Sequence, residues 1–242
     1  MSRSTDREVS WWDYATAYDL LCRYNYHYQE LLSDYRNWLK KCYQGRDTKI
    51  AVCELGAGTG NFLIETKRTI QSSSITHWDW NSEMVALARE KYRSLSIDAS
   101  IEQSNISEFF DHKASYDLIV VINALYSFPN PLQVINDSAA KLKPNGYLYI
   151  VDVGRPIDTM AWTKDLFFHV MRKEGFSKSL GVLIKLRKAI IQNRNIDNSA
   201  DLGQYWRHEL PDVVSAVESA GLTVTIANTC YRGIADRVVA RL

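Results

Sequence analysis

The sequence lacks several features that would place it in a specialised class of proteins. Its 242 residues carry 29 Lys and Arg against 28 Asp and Glu, a net charge of +1, so bulk attraction to nucleic acid is not indicated. There are only four cysteines, with no CxxC pair and no histidine at zinc-ligand spacing: Cys22, Cys42, Cys53 and Cys230. We therefore expect thiols in a reducing compartment and no metal.

Long apolar runs are also missing. The longest near-apolar stretch, Leu118 to Phe128, has about 11 residues, whereas a membrane span needs ~20. The residues from Met1 to Glu8 are polar, unlike an apolar signal segment. With 46% apolar and 24% charged residues, the chain is predicted to be one soluble, cytoplasmic globular domain over residues 1–242.

What the sequence does contain is a regular alternation of strand-like and helix-like segments. Residues 9–43 have aromatic and aliphatic side chains at helical spacing and predict an N-terminal helical lid, which ends at a break at Arg46-Asp47. Strands are predicted at 50–55, 75–79, 99–103, 116–122 and 147–153, with helices at 61–70, 82–92 and 131–142. A helix and two further strands follow in 209–242. This order predicts an α/β fold, a doubly wound, mostly parallel seven-stranded sheet with helices on both faces.

A long segment, 155–207, interrupts the alternation after the fifth strand. Its pattern is helical, and between Lys164 and Arg194 it carries eight Lys or Arg and two acids. We interpret it as a helical insertion that caps an acceptor site. Three roles remain open for its basic residues: a solvated lid, a pocket for an acidic or carrier-bound substrate, and contact with a membrane surface.

The sharpest local motif is a glycine loop after the first strand. Glu54-Leu-Gly56-Ala-Gly58-Thr-Gly60 allows a tight turn and a close approach of the backbone to a ligand. The spacing is GxGxG rather than GxGxxG, and no Lys-Ser/Thr ending follows, so a ligand without phosphate is favoured. Asp79, at the end of the second strand, can accept hydrogen bonds from a ribose diol, and Trp80 can cover an adenine face.

Together these motifs resemble those of the class I, seven-stranded S-adenosylmethionine-dependent methyltransferases. The likeness covers about residues 49–153 and, more weakly, 209–242. The residues that carry it are Glu54, Gly56, Gly58, Gly60, Asp79, the segment Tyr116-Asp-Leu-Ile and the segment Leu142-Lys-Pro-Asn-Gly146-Tyr-Leu. The resemblance implies that the core 49–153 binds S-adenosylmethionine.

The resemblance also implies roles for individual residues. Gly56 and Gly58 are expected to lie against the methionine part of the cofactor, and Asp79 to take the ribose hydroxyls. Where the family usually has an Asp beside adenine, Asn105-Ile106 stands, and the Asn105 amide can still form a hydrogen bond there. Asn123, just beyond the fourth strand, is expected to face the sulfonium.

Aromatic residues crowd the N-terminal segment: Trp11, Trp12, Tyr14, Tyr18, Tyr24, Tyr26 and Tyr28. Rings of Tyr and Trp attract cations by about 0.5–2 kcal/mol each, so they could hold the sulfonium or an amine acceptor. Packing of the lid onto the sheet is the alternative. We assign Tyr14 and Tyr18 to the cofactor and Tyr26 to the group of candidate catalytic residues.

Other candidates for the reaction come from loops and from the end of the insertion. His27, His169 and His208 are possible bases, and His208 is favoured because Tyr205-Trp206-Arg207-His208 ends the insertion, where the family commonly builds its acceptor pocket. The candidate catalytic residues are thus Asn123, Tyr26, Tyr205 and His208. The candidate substrate-binding residues are Tyr126, Asp152 and Trp206.

Three functions remain open at this point. The first is transfer of the methyl group to a small-molecule acceptor of specialised metabolism, on N, O or C. The second is attack on the aminopropyl arm of S-adenosylmethionine, such as cyclisation to azetidine-2-carboxylate with release of methylthioadenosine. The third is a non-catalytic, cofactor-binding subunit. A nucleic-acid substrate is not expected, because Asn123-Ala-Leu-Tyr126 is unlike the motif of enzymes that methylate base amines. Stable membrane insertion is not expected either, because the longest near-apolar stretch is too short.

Overall fold

The computed structural model describes residues 9–43, 45 and 49–242. The polar segment Met1 to Glu8 and the predicted break at Arg46-Asp47 lie outside the described residues.

A seven-stranded sheet forms the centre of the fold. Its strands are β1 (Ala51–Leu55), β2 (Ser74–Asp79), β3 (Ser100–Gln103), β4 (Tyr116–Ile122), β5 (Leu142–Val153), β6 (Thr223–Cys230) and β7 (Ala235–Arg241). The spatial order is β3-β2-β1-β4-β5-β7-β6, with β1 to β5 parallel and β7 antiparallel to both of its neighbours. The predicted doubly wound, mostly parallel seven-stranded sheet is confirmed.

Helices cover both faces of this sheet. They are α1 (Trp11–Tyr24), α2 (Tyr26–Tyr43), α3 (Asn61–Thr69), α4 (Ser82–Ser94), α5 (Ile106–Asp111), α6 (Pro131–Ala140), α7 (Thr159–Glu174), α8 (Phe176–Asp201) and α9 (Leu210–Ser219). One hydrophobic core lies between helices α1, α2, α3 and α4 and one face of the sheet. Another lies between helices α5, α6 and α9 and the opposite face. Alternate residues of β4 point into the two cores, as a strand buried on both faces requires.

The N-terminal segment is helical, as predicted, but it forms two helices rather than one. Asn25 is extended (φ −73°, ψ 104°), and its side-chain Oδ1 accepts hydrogen bonds from the backbone N–H groups of His27 and Tyr28. An asparagine side chain that satisfies the first N–H groups of α2 starts a new helix at this point.

Two other boundaries differ from the prediction. The short helix α5 follows β3, where no helix was predicted. The strand β5 begins at Leu142, so the Lys143–Gly146 segment lies within the strand range, with Asn145 in a left-handed conformation (φ 66°). Its pairing with β4 shifts register between Tyr116 and Leu118, which accommodates this irregular start.

The insertion consists of α7 and α8, which pack on each other and on α1. Their shared cluster contains Ala17 and Tyr24 from α1, Leu166 and Val170 from α7, and Leu186 from α8. The N-terminal helix and the insertion therefore form one cover over the carboxyl end of the sheet. No helix among the described residues combines the length and apolar character needed to cross a bilayer.

A polar cluster attaches α1 to the glycine loop beneath it. The Asp19 carboxylate on α1 accepts a hydrogen bond of 2.6 Å from the Thr59 hydroxyl and lies 2.9 Å from Lys91 Nζ on α4. Lys91 also donates to Asn61 Oδ1, at the start of α3, over 2.6 Å. One carboxylate thus connects the cover, the loop and two helices of the core.

Candidate functional site

A cavity of about 490 Å³ lies between the sheet and this cover. On the sheet side it is lined by the residues that follow β1, β2 and β4, and on the other side by α1, α7, α8 and the segment 206–207. The carboxyl ends of β1, β2 and β4 are where a parallel α/β sheet binds its ligands. The sequence motifs and the insertion therefore meet in one space.

The glycine loop forms the part of the cavity next to β1. Gly56, Gly58 and Gly60 have φ values of 67°, 54° and 78°, a left-handed conformation that favours glycine. A Cβ on Gly56 would stand 2.4 Å from the Cβ of Ala124, which also lines the cavity. Gly56 and Gly58 line the cavity, whereas Gly60 packs against the ring of Tyr92 behind it.

Asp79 lies at the end of β2 and faces the glycine loop. Its carboxylate accepts hydrogen bonds from the backbone N–H groups of Gly58 (2.7 Å) and Asn81 (2.8 Å). Burial raises the pKa of this carboxyl, and those backbone donors oppose the rise. Each oxygen atom keeps acceptor capacity for a second donor, as a ribose diol requires. Trp80, beside it, is half exposed and lines the cavity.

Asn123 occupies the position after β4. Its backbone is left-handed (φ 49°), and its N–H donates to the carbonyl of Val151 over 2.7 Å. The side chain lines the cavity, and its Oδ1 is buried with no hydrogen-bond partner among the described residues. An unsatisfied buried acceptor costs free energy, so this atom is suited to a ligand N–H or O–H group.

Aromatic rings form the wall that α1 and α2 contribute. Tyr14 and Tyr18 have ring centroids 5.4 Å apart, and Tyr18 meets Tyr28 edge-on at 6.5 Å. Burial raises the pKa of all three phenols, and it raises that of the neighbouring Cys22 thiol to about 12. These groups therefore stay neutral and offer ring faces, hydroxyl donors and no base.

A second group of aromatic side chains lines the outer end of the cavity. The indole of Trp162 on α7 stacks on the Tyr231 ring (5.4 Å, 27°), and the His27 ring meets the indole edge-on at 5.1 Å. The Tyr26 ring lies 5.7 Å from that of His169. All five residues line the cavity, so Tyr26 belongs to this second aromatic group.

The loop after β4 and the end of the insertion meet at the side of the cavity. Tyr126 and Trp206 line it, and the N–H of Trp206 donates to the carbonyl of Tyr126 over 2.8 Å. Tyr205 contacts Tyr126 edge-on at 5.4 Å and is not among the cavity-lining residues. The positions of Tyr126 and Trp206 are compatible with their predicted contact with a substrate. Tyr205, predicted to be catalytic, packs against the Tyr126 ring instead of lining the cavity.

His208 and Asp152 lie away from the cavity, in the interior. The His208 Nε2 atom is 3.1 Å from Asp152 Oδ2, and its Nδ1 atom is 3.2 Å from Asp236 Oδ2. Arg155 donates to both oxygens of Asp236 over 2.8 Å. His208 and both aspartates have at most 3% exposure, so the structure gives this histidine no access to an acceptor and places it in a buried polar chain.

Three further predicted residues also lie outside the cavity. Glu54 is buried at the end of β1, and burial raises its pKa well above the ordinary range. Asn105 is exposed just before α5, and Ile106 packs in the core against Trp78. The extra helix α5 explains this placement, because Ile106 is its first residue and points inward. Within the described chain, the residues that line the cavity next to Asp79 are Trp80, Asn81 and Met84.

Sequence reasoning missed several residues that complete the site. Trp162, Tyr231 and the ion pair between Asp197 and Arg207 (3.1 Å) all line the cavity. They come from α7, α8 and two loops, and no motif connects them. Among residues 9–43, 45 and 49–242, no group of three or more His, Cys, Asp or Glu side chains is placed to hold a metal ion.

Known proteins share this architecture and these motifs. Residues 24–225 match the family model described as a methyltransferase domain. The chain belongs to this family. The membership predicted from the glycine loop and Asp79 is confirmed, and with it S-adenosylmethionine as the cofactor.

Relatives within the family include enzymes of quinone biosynthesis. The chain is 24% identical over 120 residues to the ubiquinone/menaquinone biosynthesis C-methyltransferase of Bdellovibrio bacteriovorus, with 49% of this chain and 51% of that protein covered. It is 25% identical over 177 residues to the demethylmenaquinone methyltransferase of Lactobacillus johnsonii, with 68% and 71% covered. The chain thus spans about half the length of the first of these relatives.

Solved structures show the same fold at low identity. The magnesium protoporphyrin IX methyltransferase of Synechocystis, solved with bound SAH, superposes with a TM-score of 0.61 at 12% identity, covering 95% of this chain and 96% of that one. A SAM-dependent methyltransferase from Aquifex aeolicus gives 0.56 at 15% identity, covering 91% and 92%.

Proposed function

We propose that this protein transfers the methyl group of S-adenosylmethionine to a small ring-containing acceptor. One observation carries the proposal: the glycine loop with Asp79 and the aromatic group around Trp162 line the same cavity. A cofactor on the loop and an acceptor among the rings would then lie end to end, as an in-line displacement requires.

The residues on the sheet side fit the cofactor. Gly56 and Gly58 bring backbone without a side chain to the cavity wall, Asp79 offers carboxylate oxygens, and Asn123 Oδ1 has no hydrogen-bond partner among the described residues. S-adenosylmethionine supplies an electrophilic methyl carbon, whose bond to sulfur breaks, leaving the electron pair on sulfur, as the acceptor atom bonds to it. The protein's part is to hold both groups in line and to exclude water.

Two histidines at the outer end can take up a proton that the acceptor loses. His27 lines the cavity, and its Nδ1 atom lies 3.6 Å from Glu30 Oε2. Burial, and next the charges of Lys173 and Arg172, lower the pKa of His169, so its imidazole is neutral and able to accept a proton. Burial raises the pKa of the nearby Tyr231 phenol well above its ordinary value, so this group keeps its proton and can serve as a hydrogen-bond donor.

The acceptor is proposed to be a compact ring compound of specialised metabolism. The rings of Trp162, Tyr231 and Tyr126 favour a flat, largely apolar molecule between them. The names of several relatives support a ring compound as acceptor, since they are quinone-biosynthesis C- and O-methyltransferases.

Asp79→Ala is expected to weaken S-adenosylmethionine binding by about a hundredfold, because two charge-assisted hydrogen bonds of roughly 1.5 kcal/mol each are lost. Titration calorimetry with S-adenosylhomocysteine measures the change. Asp111→Ala, an exposed acid at the end of α5, is the matched control and should bind normally. Equal affinity of both variants would contradict the placement of the ribose.

A second reaction of the same cofactor is favoured by Asn123. Its unpartnered Oδ1 is placed to accept a hydrogen bond from an amine, which would orient the amine of S-adenosylmethionine itself toward its own aminopropyl carbon. Carbon–nitrogen bond formation would then close azetidine-2-carboxylate and release methylthioadenosine, with one proton lost from nitrogen.

Mass spectrometry of the protein incubated with S-adenosylmethionine alone separates the two reactions. Methylthioadenosine above the level given by Asp79→Ala, together with a C4 amino acid, would establish cyclisation and refute methyl transfer. An unchanged cofactor that nevertheless binds supports methyl transfer, and a screen of phenolic and quinol acceptors for S-adenosylhomocysteine release then follows. A protein that binds no cofactor and releases neither product would refute both.

Trp162→Ala is expected to raise the acceptor KM by roughly tenfold with little effect on cofactor affinity, because a stacked aromatic wall contributes about 1–1.5 kcal/mol. Steady-state kinetics with the first active acceptor measures it. Trp12→Ala, an exposed tryptophan on α1 outside the cavity lining, is the control. An unchanged KM in Trp162→Ala would place the acceptor elsewhere.

A further inference from the structure

The outer face of α8 exposes a row of large apolar side chains. Phe176, Leu180, Ile184 and Ile191 are 63%, 48%, 58% and 48% exposed. At helical spacing they fall within about a quarter of the helix circumference, and we call them the apolar stripe. The opposite face of α8, with Val182, Leu186 and Ala189, packs on α1 and α7, so this helix is apolar on both sides.

Exposed apolar side chains are more concentrated on α7 and α8 than on the rest of the described surface. Thirteen large apolar side chains are exposed among the residues that the structure describes. Seven of them belong to α7, α8 or the residue that ends α8: Met160, Phe168, Phe176, Leu180, Ile184, Ile191 and Leu202. Isolated exposed apolar residues are normal on soluble proteins, whereas a continuous row marks a surface that another body covers.

The charges around the stripe indicate what kind of body that is. From Phe176 to Ile196 the chain has five basic residues and no Asp or Glu: Lys178, Lys185, Arg187, Lys188 and Arg194. Arg187 and Arg194 fall on the same quarter of the helix as the stripe. Apolar side chains flanked by cations are suited to an anionic bilayer, where the former enter the boundary layer and the latter meet phosphate groups.

A second copy of this chain fits the stripe less well. If two copies met stripe to stripe, the Arg187 and Arg194 side chains of both copies would enter one interface. No acid between Phe176 and Ile196 could neutralise them, and like charges opposed in an interface disfavour association.

The stripe is also continuous with the wall of the cavity. Phe168 lines the cavity and is partly exposed; its ring centroid lies 5.6 Å from that of Phe167, which lies 5.9 Å from that of Phe176 at the start of the stripe. A row of three rings therefore leads from the cavity to the stripe. A surface that covers the stripe would also lie beside the cavity.

We propose that this protein docks reversibly on anionic phospholipid membranes through the apolar stripe and the cations of α8. Docking is peripheral and places the ring row at the bilayer surface. That an apolar acceptor enters the cavity from the bilayer rests on the proposed function, whereas docking itself does not.

Co-sedimentation with lipid vesicles tests the proposal without any turnover. The full chain is mixed with phosphatidylcholine vesicles containing about a quarter phosphatidylglycerol, or with phosphatidylcholine alone. We expect at least about tenfold more protein bound to the anionic vesicles, and most of it released as NaCl rises from about 0.1 to about 0.5 M. The Leu180→Glu/Ile184→Glu and Arg187→Gln/Arg194→Gln variants should each lose at least about tenfold of this binding.

Matched controls distinguish the stripe from general surface effects. Leu95→Glu/Leu132→Glu makes the same change at two exposed leucines on other surfaces and should bind vesicles like the unmodified protein. Binding of S-adenosylhomocysteine by each variant checks folding and tests the cofactor site separately. Equal binding to both vesicle types, equal loss in the control, or a dimer in light scattering that the stripe variants dissociate would overturn the proposal.

Discussion

Alanine at Gly56 is expected to lower S-adenosylmethionine affinity by at least about a hundredfold, whereas alanine at Gly58 should lower it by less than about tenfold. Both glycines have positive φ, so both variants share the cost of a left-handed alanine. They differ in what the new Cβ meets. At Gly56 it would stand 2.4 Å from Ala124 Cβ, and at Gly58 its nearest neighbour is Met84 Sδ at 3.9 Å.

The difference between the Gly56→Ala and Gly58→Ala variants follows from which parts of the backbone each new side chain must displace. The contact at Gly56 is with a short side chain on the backbone segment next to Asn123, so the loop after β1 and the loop after β4 must separate. Overpacking of this kind costs about 1–3 kcal/mol, and here it displaces two ligand-binding loops at once. Titration calorimetry with S-adenosylhomocysteine and thermal melting of both variants measure the two effects. Equal losses would show that left-handed backbone strain, rather than the contact with Ala124, determines binding.

Replacement of His208 by leucine is expected to lower the free energy of unfolding by about 3–5 kcal/mol and the melting temperature by roughly 6–20 °C. The imidazole lies between the Asp152 and Asp236 carboxylates, all three side chains being buried. Without it, Asp152 loses the side chain that is hydrogen-bonded to its Oδ2 atom, while Asp236 retains Arg155. The folded fraction should still bind S-adenosylmethionine, because His208 does not line the cavity.

The loss of folding stability in His208→Leu should depend on pH in a definite direction. Burial raises the pKa of the Asp152 carboxyl above its value in the unfolded chain, and His208 opposes that rise, so the leucine variant raises the pKa further. A carboxyl with a raised folded-state pKa favours the folded state when protonated. The difference in the free energy of unfolding between His208→Leu and the unmodified protein should therefore shrink as the pH falls toward the ordinary carboxyl range. It should grow as the pH rises.

His169→Leu is the matched histidine control for this prediction. His169 lines the cavity and is partly exposed, so its loss should affect acceptor turnover and leave the melting temperature within about 2 °C. Chemical denaturation at several pH values measures His208→Leu against this control. A stable His208→Leu protein that binds cofactor but fails in turnover would restore His208 as a catalytic candidate.

The sheet and the cofactor loop were predictable because their signals are local. The central strands β1 and β4 are short apolar runs between turn residues, and the pattern around Gly56 and Gly58 lies within seven consecutive residues. Asp79 was predictable for the same reason, since the end of β2 fixes its place at the carboxyl edge of the sheet.

The acceptor end was less predictable because it is assembled from distant segments. The rings of His27, Trp162 and Tyr231 meet across some two hundred residues of chain, and long-range packing brings them together: α7 packs on α1, and the turn that carries Tyr231 packs on α2. His208 shows the opposite case. Its position beside Trp206 suggested access to the acceptor, but Arg207 is the last residue of this segment to line the cavity and the His208 ring enters the interior.

The carboxylate of Asp19 is expected to make the position of helix α1 and that of the glycine loop depend energetically on each other. Its hydrogen bond to Thr59 attaches the aromatic helix to the loop that holds the cofactor, so a ligand that fixes one also restricts the other. Cofactor and acceptor would then bind cooperatively, and thermodynamic reciprocity requires each to raise the affinity of the other by the same factor. Loss of the reacted cofactor would in turn loosen the helix over the methylated product and favour its release.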